Sequence, residues 1–108
     1  AYAVKLDVEG VEVPSMNGAK RLINSNSVFV YEDHGSDASH AVTRNAIDNL
    51  GLRVFWLGAS KAVEIRKPEE LDSIKKSRRY GYDMAATRSP FWISRFEALV
   101  NGKKAVAA

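Results

Sequence analysis

The side chains best suited to chemistry are concentrated in residues 28–44, which have the sequence VFVYEDHGSDASHAVTR. Hydroxyl, imidazole and carboxylate groups occur together within seven positions: His34, Ser36, Asp37, Ser39 and His40. A hydroxyl beside an imidazole and a carboxylate has the components of nucleophilic catalysis. Imidazole and carboxylate groups also bind metal ions. The question is which of these roles the spacing favours.

The spacing favours helix capping over catalysis or metal binding. His40 follows Ser36 by four residues and would share its helix face, but the groups of a catalytic triad seldom all come from one helical turn. His34, Asp37 and His40 have metal-binding side chains, yet no pattern fixes their convergence. Gly35 and Ser36 could seat an anion at a helix N-terminus, although phosphate-binding glycine patterns are absent. We predict that Ser36 caps a helix, with no metal site and no cofactor.

The elements around this stretch predict a strand, a helix and a second strand. The run SVFVYE is β-branched and aromatic, which is typical of a buried strand. A loop is expected over Asp33 to Gly35, and a helix from Ser36 that ends at Gly51. The apolar run LRVFWLG predicts the next strand. Short connections indicate that the two strands are a neighbouring parallel pair with a right-handed crossover.

The flanking segments add a strand and two less regular regions. Alternation from Tyr2 to Val8 predicts a half-buried strand within residues 1–15, an N-terminal extension of the domain. SMNGAKRLINSN is a weak helix candidate. AVEIR is a short extension or a loop. A basic helix is predicted to begin at Pro68 and to end before Gly81, with acids near its start and bases near its end.

The tail TRSPFWISRFEALVNGKKAVAA has two interpretations. As a helix, Ser89 caps it, Pro90 is its first residue, and Trp92, Phe96 and Leu99 face inward. As strands, FWISRF follows a proline turn and Asn-Gly forms a hairpin. The strands are favoured, because the order of the elements resembles a known family.

The chain resembles the thioredoxin and glutaredoxin family over residues 16–107. In that family a Cys-x-x-Cys pair begins a helix directly after a strand like VFVY and a short loop with glycine. Ser36 and Ser39 occupy the corresponding positions here. TRSPFWI resembles the segment with the family's cis-proline, which places Pro90 opposite the redox pair, and NGKKAV resembles the final hairpin.

The resemblance implies the fold and the site. The fold is expected to be α/β: residues 1–108 form a single thioredoxin-like domain with a central mixed sheet of about four or five strands and helices on both faces. Ser36 and Ser39 take the catalytic positions and are expected to be inert, because a hydroxyl stays protonated at neutral pH. The groove in which the family holds extended peptides is expected at His34, Gly35, Asp37, Ser89 and Pro90. The expected core is Val28, Val30, Val42, Ala46, Leu50, Val54, Trp56, Leu71, Ile74, Phe91 and Ile93.

Composition narrows the class of protein. The 108 residues contain no cysteine, which excludes disulfides and thiolate chemistry for this sequence. No apolar run is long enough to span a bilayer. Residues 61–108 carry eleven lysines and arginines against six acids, whereas residues 1–60 carry five against seven. The start at AYAV leaves localisation open between cytoplasm and periplasm, with a lean towards an exported chain.

Three functions remain open. The first is a protein- or peptide-binding or scaffolding module without redox activity; export and conjugative-transfer assemblies are settings in which such degenerate thioredoxin-like domains occur. The second is a thiol–disulfide oxidoreductase whose two cysteines have been changed to serine, in which case the natural protein is an enzyme. The third is a basic nucleic-acid-binding domain, suggested by KKSRRYGY.

Overall fold

A computed structural model of the chain describes residues 2–6, 16–18, 26–34, 37, 39–58, 61–75 and 81–101. These residues form an α/β domain built on one five-stranded mixed sheet. The strands are β1 (Tyr2–Leu6), β2 (Ser27–His34), β3 (Arg53–Leu57), β4 (Ala62–Ile65) and β5 (Gly81–Thr87). Helix α1 (Ala41–Arg44) continues directly as a π-helix (Asn45–Asn49). The other two helices are a 3₁₀ helix (Pro68–Ser73) and α2 (Pro90–Val100).

Strand β5 occupies the centre of the sheet. The strand order is β1-β2-β5-β3-β4, in which β1 is parallel to β2 and every other neighbouring pair is antiparallel. Strands β2 and β3 therefore run in the same direction but are not neighbours, and the expectation of an adjacent parallel pair is wrong. The sequence pattern of β5, GYDMAAT, was not recognised as a strand. Its core is Met84, Ala85 and Ala86, all fully buried, and alanine carries little strand signal.

The period-two alternation of the strands divides the core into two layers. On one face, Phe29, Tyr31, Val54 and Met84 pack with residues of α1 and the 3₁₀ helix. On the other face, side chains of β2, β3 and β5 pack against α2, whose Phe96 ring lies 5.2 Å from that of Phe55. The prediction of helices on both faces of a mixed sheet is confirmed.

The predicted core is correct in part. Five of its residues are buried: Val28, Val42, Ala46, Val54 and Leu71. The other six are partly exposed: Val30, Leu50, Trp56, Ile74, Phe91 and Ile93. The predicted list omitted other large buried side chains, among them Phe29, Tyr31, Ile65 and Met84. Since β2 and β3 are covered on both faces, both sets of alternate residues are buried rather than one.

The first helix ends as predicted but begins later in the described chain. Strand β2 continues through Asp33 to His34, so the loop expected over Asp33 to Gly35 starts later. Residues 35, 36 and 38 lie outside the described residues, and helical structure begins at Ala41. Gly51 has a φ of +64°, and the Leu52 N–H donates to the Ala46 carbonyl, as in a left-handed helix terminus.

The C-terminal segment is helical over Pro90–Val100, so the favoured strand interpretation is wrong there. Ser89 and Pro90 hold the N-cap and first helical positions of the alternative interpretation, but the Ser89 hydroxyl donates to the Asn26 amide oxygen and does not cap. The described residues contain no cis peptide bond, so the Ser89–Pro90 bond is trans. Proline with φ near −65° suits the first helical turn, and this explains why it begins a helix.

The predictions for the shorter segments are correct in part. The N-terminal strand is confirmed for Tyr2–Leu6, and the rest of residues 1–15 lies outside the described residues. Within SMNGAKRLINSN, residues 16–18 are helical. AVEI forms β4. The basic helix is replaced by a 3₁₀ helix that ends at Ser73, and residues 76–80 are not described. In the part of the chain that is described, no helix has the length and apolar character needed to cross a membrane.

Candidate functional site

The described residues do not form the groove expected between residues 34–39 and Ser89–Pro90. Asp37 and Ser39 follow the end of β2, where His34 pairs with Gly81. Ser89 and Pro90 follow the end of β5, where Thr87 pairs with Val28 at the opposite end of β2. Six residues of strand separate the two ends, about 20 Å at about 3.3 Å per residue. The cause is β5, which runs antiparallel to β2, so that Pro90 follows β5 at the opposite end of the strands.

The Asp37 carboxylate accepts the first N–H of helix α1, whereas His40 holds the N-cap position without a side-chain capping bond; the predicted cap was Ser36. Asp37 Oδ2 accepts the Ala41 N–H at 2.9 Å, and its Oδ1 accepts the Ser39 N–H at 3.0 Å and the Ser39 hydroxyl at 2.5 Å. Partial burial alone would raise the pKa of Asp37, but these hydrogen bonds and the nearby Lys75 ammonium hold it below its usual value. Ser36 and Gly35 lie outside the described residues, as does the His34 side chain, so the capping role of Ser36 stays a prediction.

A chain of buried polar groups lies beneath this turn. The Tyr31 hydroxyl donates to Thr43 Oγ1 at 2.8 Å, and the Thr43 hydroxyl donates to Asp33 Oδ2 at 2.5 Å. The Lys75 ammonium donates to Asp33 Oδ1 and, at 3.0 Å, to the Asp37 carbonyl. A continuous chain of hydrogen bonds therefore joins β2, α1, the turn after β2 and Lys75, which lies just after the 3₁₀ helix.

The Asp33–Lys75 ion pair is shielded from solvent. The side chains of Asp33 and Lys75 are 1% and 3% exposed. Burial is the main cause that raises the pKa of Tyr31 far above its usual value, so its phenol stays protonated over the accessible pH range. A substrate could not reach these groups without local opening. Their geometry is that of a structural ion pair and not of a reactive site.

His40 adds a second link between the turn and the 3₁₀ helix. Its backbone is left-handed, with a φ of 53°, and its side chain is 3% exposed. Nε2 lies 2.7 Å from Asp72 Oδ1, while Nδ1 is buried without a hydrogen-bond partner in the described part of the chain. Because the imidazole is directed to Asp72, it is not placed to activate a serine. The described residues also contain no group of three potential metal ligands.

The opposite side of the 3₁₀ helix borders an open cleft. The cleft has a volume of about 380 Å³ and lies between this helix and the hairpin of β3 and β4. Its lining combines an apolar floor with a polar rim: Trp56, Val63, Ile65 and Ile74, then Lys61, Glu64, Glu70 and Ser73. A volume of this size, with apolar lining and a few polar groups, is typical of a binding site.

Strand β4 is the outer strand beside this cleft. The Gly58 N–H donates to the Lys61 carbonyl at 2.8 Å, which makes this the first hydrogen-bonded pair of the hairpin. Since such pairs alternate along antiparallel strands, the backbone groups of Val63 and Ile65 face β3. Those of Ala62 and Glu64 face away from the sheet. The end position of β4 in the strand order leaves these outward groups without a neighbouring strand in the described chain.

Ion pairs link β4 to β3 and, through Arg53, to α2. Arg53 donates to both Glu64 oxygens at 2.8 and 2.9 Å and to Glu97 on α2 at 3.3 Å. The hydrogen bond from Arg53 is the main cause that lowers the pKa of Glu64, and the same bond raises the pKa of Arg53. Glu64 is therefore held as a carboxylate and is engaged within the domain.

Comparison of the chain with protein-family models, curated proteins and solved structures finds no match to any of the three. The markers of the thioredoxin-like resemblance can be compared directly. The proline is trans, it begins a helix, and it lies at the end of the sheet opposite to residues 37 and 39. The resemblance remains a sequence-level prediction that these elements do not support.

The buried ion pair predicts an asymmetric response to mutation. Lys75→Met leaves the Asp33 carboxylate buried without its cation, and we expect a loss of about 3–5 kcal/mol in the free energy of unfolding. Combining Lys75→Met with Asp33→Asn removes both charges and should recover part of that loss. Urea denaturation of the single and double variants measures the difference. Equal losses in the two variants would show that the pair is not an interior ion pair.

The cap predicts a smaller, pH-dependent effect. Asp37→Ala should lower the free energy of unfolding by about 1 kcal/mol, because the Ala41 and Ser39 N–H groups lose their acceptor. Asp37→Asn keeps an acceptor and lacks the charge. Since the native pKa of Asp37 is lowered, its advantage over asparagine should be complete at neutral pH and shrink below about pH 4. Denaturation of both variants at several pH values checks this, and a pH-independent difference would contradict it.

Proposed function

We propose that this chain is a protein-binding module that holds an extended segment of a partner along strand β4, with an apolar side chain in the adjacent cleft. The observation that carries the proposal is the cleft itself, about 380 Å³ in volume, directly beside the outward edge of an outer strand. An added strand gains affinity from backbone hydrogen bonds and specificity from pockets for alternate side chains.

The two features of the site are complementary in geometry. The outward N–H and carbonyl groups of Ala62 and Glu64 can bond an extended backbone. The side chains of Val63 and Ile65 belong to the face that carries the cleft. A residue of an added strand opposite Val63 would lie on that same face. Backbone pairing and insertion of one apolar side chain are therefore compatible.

Redox chemistry has less support from the same structure. The Ser39 hydroxyl donates to the Asp37 carboxylate at 2.5 Å. A cysteine at this position would have a neighbouring negative charge, which disfavours the thiolate that redox exchange needs. Pro90 lies at the other end of the sheet. A binding role requires neither group and agrees with the non-redox interpretation of the sequence.

Selection of peptides tests the proposed function. A phage library of random ten-residue peptides is selected on the wild-type protein, and the enriched peptides are measured against two variants. Ala62→Pro removes one outward N–H from an outer strand, a position where proline is tolerated. Val63→Thr keeps the side chain's shape but adds a hydroxyl to the cleft floor. We expect Kd to rise about tenfold or more in the first variant and several-fold in the second.

The matched control is Val100→Thr, the same chemical change at an exposed residue of α2, and it should bind as the wild type does. Thermal unfolding confirms that all variants remain folded. Amide hydrogen exchange supplies an independent measurement, since peptide binding should protect the Ala62 and Glu64 N–H groups. If no peptide is enriched, or if enriched peptides bind both variants with unchanged Kd, β4 is not a docking edge.

A further inference from the structure

The charges around β4 indicate which segment this edge would accept. Three exposed cations flank the strand: Lys61 precedes it, and Arg66 and Lys67 follow it. Among the described residues, no ion pair engages Lys61 or Lys67. The Arg66 guanidinium, whose side chain is 78% exposed, lies 3.9 Å from Glu64 and is peripheral to the closer Arg53 contact.

The acids near these cations have other partners. Glu64 receives two hydrogen bonds from Arg53. One Glu70 carboxylate oxygen accepts the backbone N–H groups of Arg66 and Lys67 at 2.6 and 2.9 Å. Glu69 lies 3.1 Å from Arg44 on the other side of the 3₁₀ helix. The outward side of β4 is therefore cationic at both ends, whereas its acids are used inside the domain.

A second copy of this chain does not suit the same edge. The antiparallel registers of two β4 strands that pair the outward groups of both Ala62 and Glu64 within residues 62–66 have their two-fold axis at Val63 or at Glu64. About Glu64, Lys61 of one copy lies opposite Lys67 of the other. About Val63, Lys61 lies opposite Ile65, next to Arg66. Like charges at such positions destabilise strand pairing, so self-association along β4 is disfavoured.

We infer that the segment recognised by β4 has central apolar residues flanked on both sides by acidic residues. This inference rests on the proposed function and names its ligand class. The apolar side chains on the cleft face would meet the floor formed by Trp56, Val63, Ile65 and Ile74. The acidic residues would lie beside Lys61 at one end and beside Arg66 and Lys67 at the other. Because these cations are exposed, salt weakens their attraction to the acids.

Three capped synthetic peptides test the charge preference. Each has a central Val-Thr-Leu, and two residues on each side are glutamate, glutamine or lysine. Fluorescence anisotropy of labelled peptides gives Kd at low and high salt. With the wild-type protein, we expect the glutamate peptide to bind about tenfold more tightly than the glutamine peptide, and the lysine peptide most weakly. This order should weaken as salt rises.

A charge-reversed variant makes the test specific. Lys61→Glu combined with Arg66→Glu should invert the order, so that the lysine peptide binds most tightly. The matched control is Arg95→Glu on α2, which keeps the wild-type order. If the three peptides bind the wild type equally, or if the reversed variant keeps the original order, the charge inference is overturned.

The outcomes separate this inference from the proposed function. If the three peptides bind equally and Ala62→Pro abolishes their binding, docking at β4 is supported and the preference for acidic residues is rejected. If none of the three peptides binds and the library selection enriches none, both proposals fail. Sedimentation analysis addresses the second copy: a dimer that Ala62→Pro dissociates would overturn the choice of a foreign segment.

Discussion

The arrangement of this domain depends on one buried ion pair, between Asp33 at the end of β2 and Lys75 after the 3₁₀ helix. Two buried charges are costly unless each is paired and its remaining hydrogen-bonding groups are satisfied. Here Thr43 bonds the second Asp33 oxygen, and the Asp37 carbonyl accepts from Lys75. The pair thus requires α1, the turn after β2 and the 3₁₀ helix to be in place together, which favours a single arrangement of these parts.

The 3₁₀ helix connects this ion pair to the candidate site, because one side of the helix bonds to the domain and the other side lines the cleft. On one side, Asp72 and Glu69, together with Lys75 just after the helix, bond to groups in or near β2 and α1. On the other side, Glu70, Ser73 and Ile74 line the cleft. The position of the cleft wall is therefore set by polar contacts that no bound segment would touch. Such preorganisation lowers the entropic cost of binding.

Sequence reasoning located the elements whose signals are local. The β-branched run of β2, the left-handed Gly51 and the apolar stripe of α1 each depend on their own residues, and each was found. The failures involve tertiary context. The central strand β5 consists largely of small residues with weak strand propensity. Because β5 lies between β2 and β3, Pro90 is far from Asp37 and Ser39, although the order of the motifs predicted that they would be close. The cleft was not foreseen, because its lining comes from three elements whose contacts depend on that topology.

The buried cluster and the outer edge also explain why reactive side chains and binding surface are separate. The residue types best suited to chemistry, Asp33, His40 and Lys75, have almost fully buried side chains. Asp33 and Lys75 bond to each other, Lys75 also bonds to the turn after β2, and His40 bonds to Asp72 on the 3₁₀ helix. An outer strand, by contrast, needs no reactive side chain, because its backbone supplies the hydrogen-bonding groups. Exposed lysines and arginines near a strand edge oppose unwanted pairing between identical chains. The same charges favour an acidic segment, so protection against self-association and selection of a partner can have one physical origin.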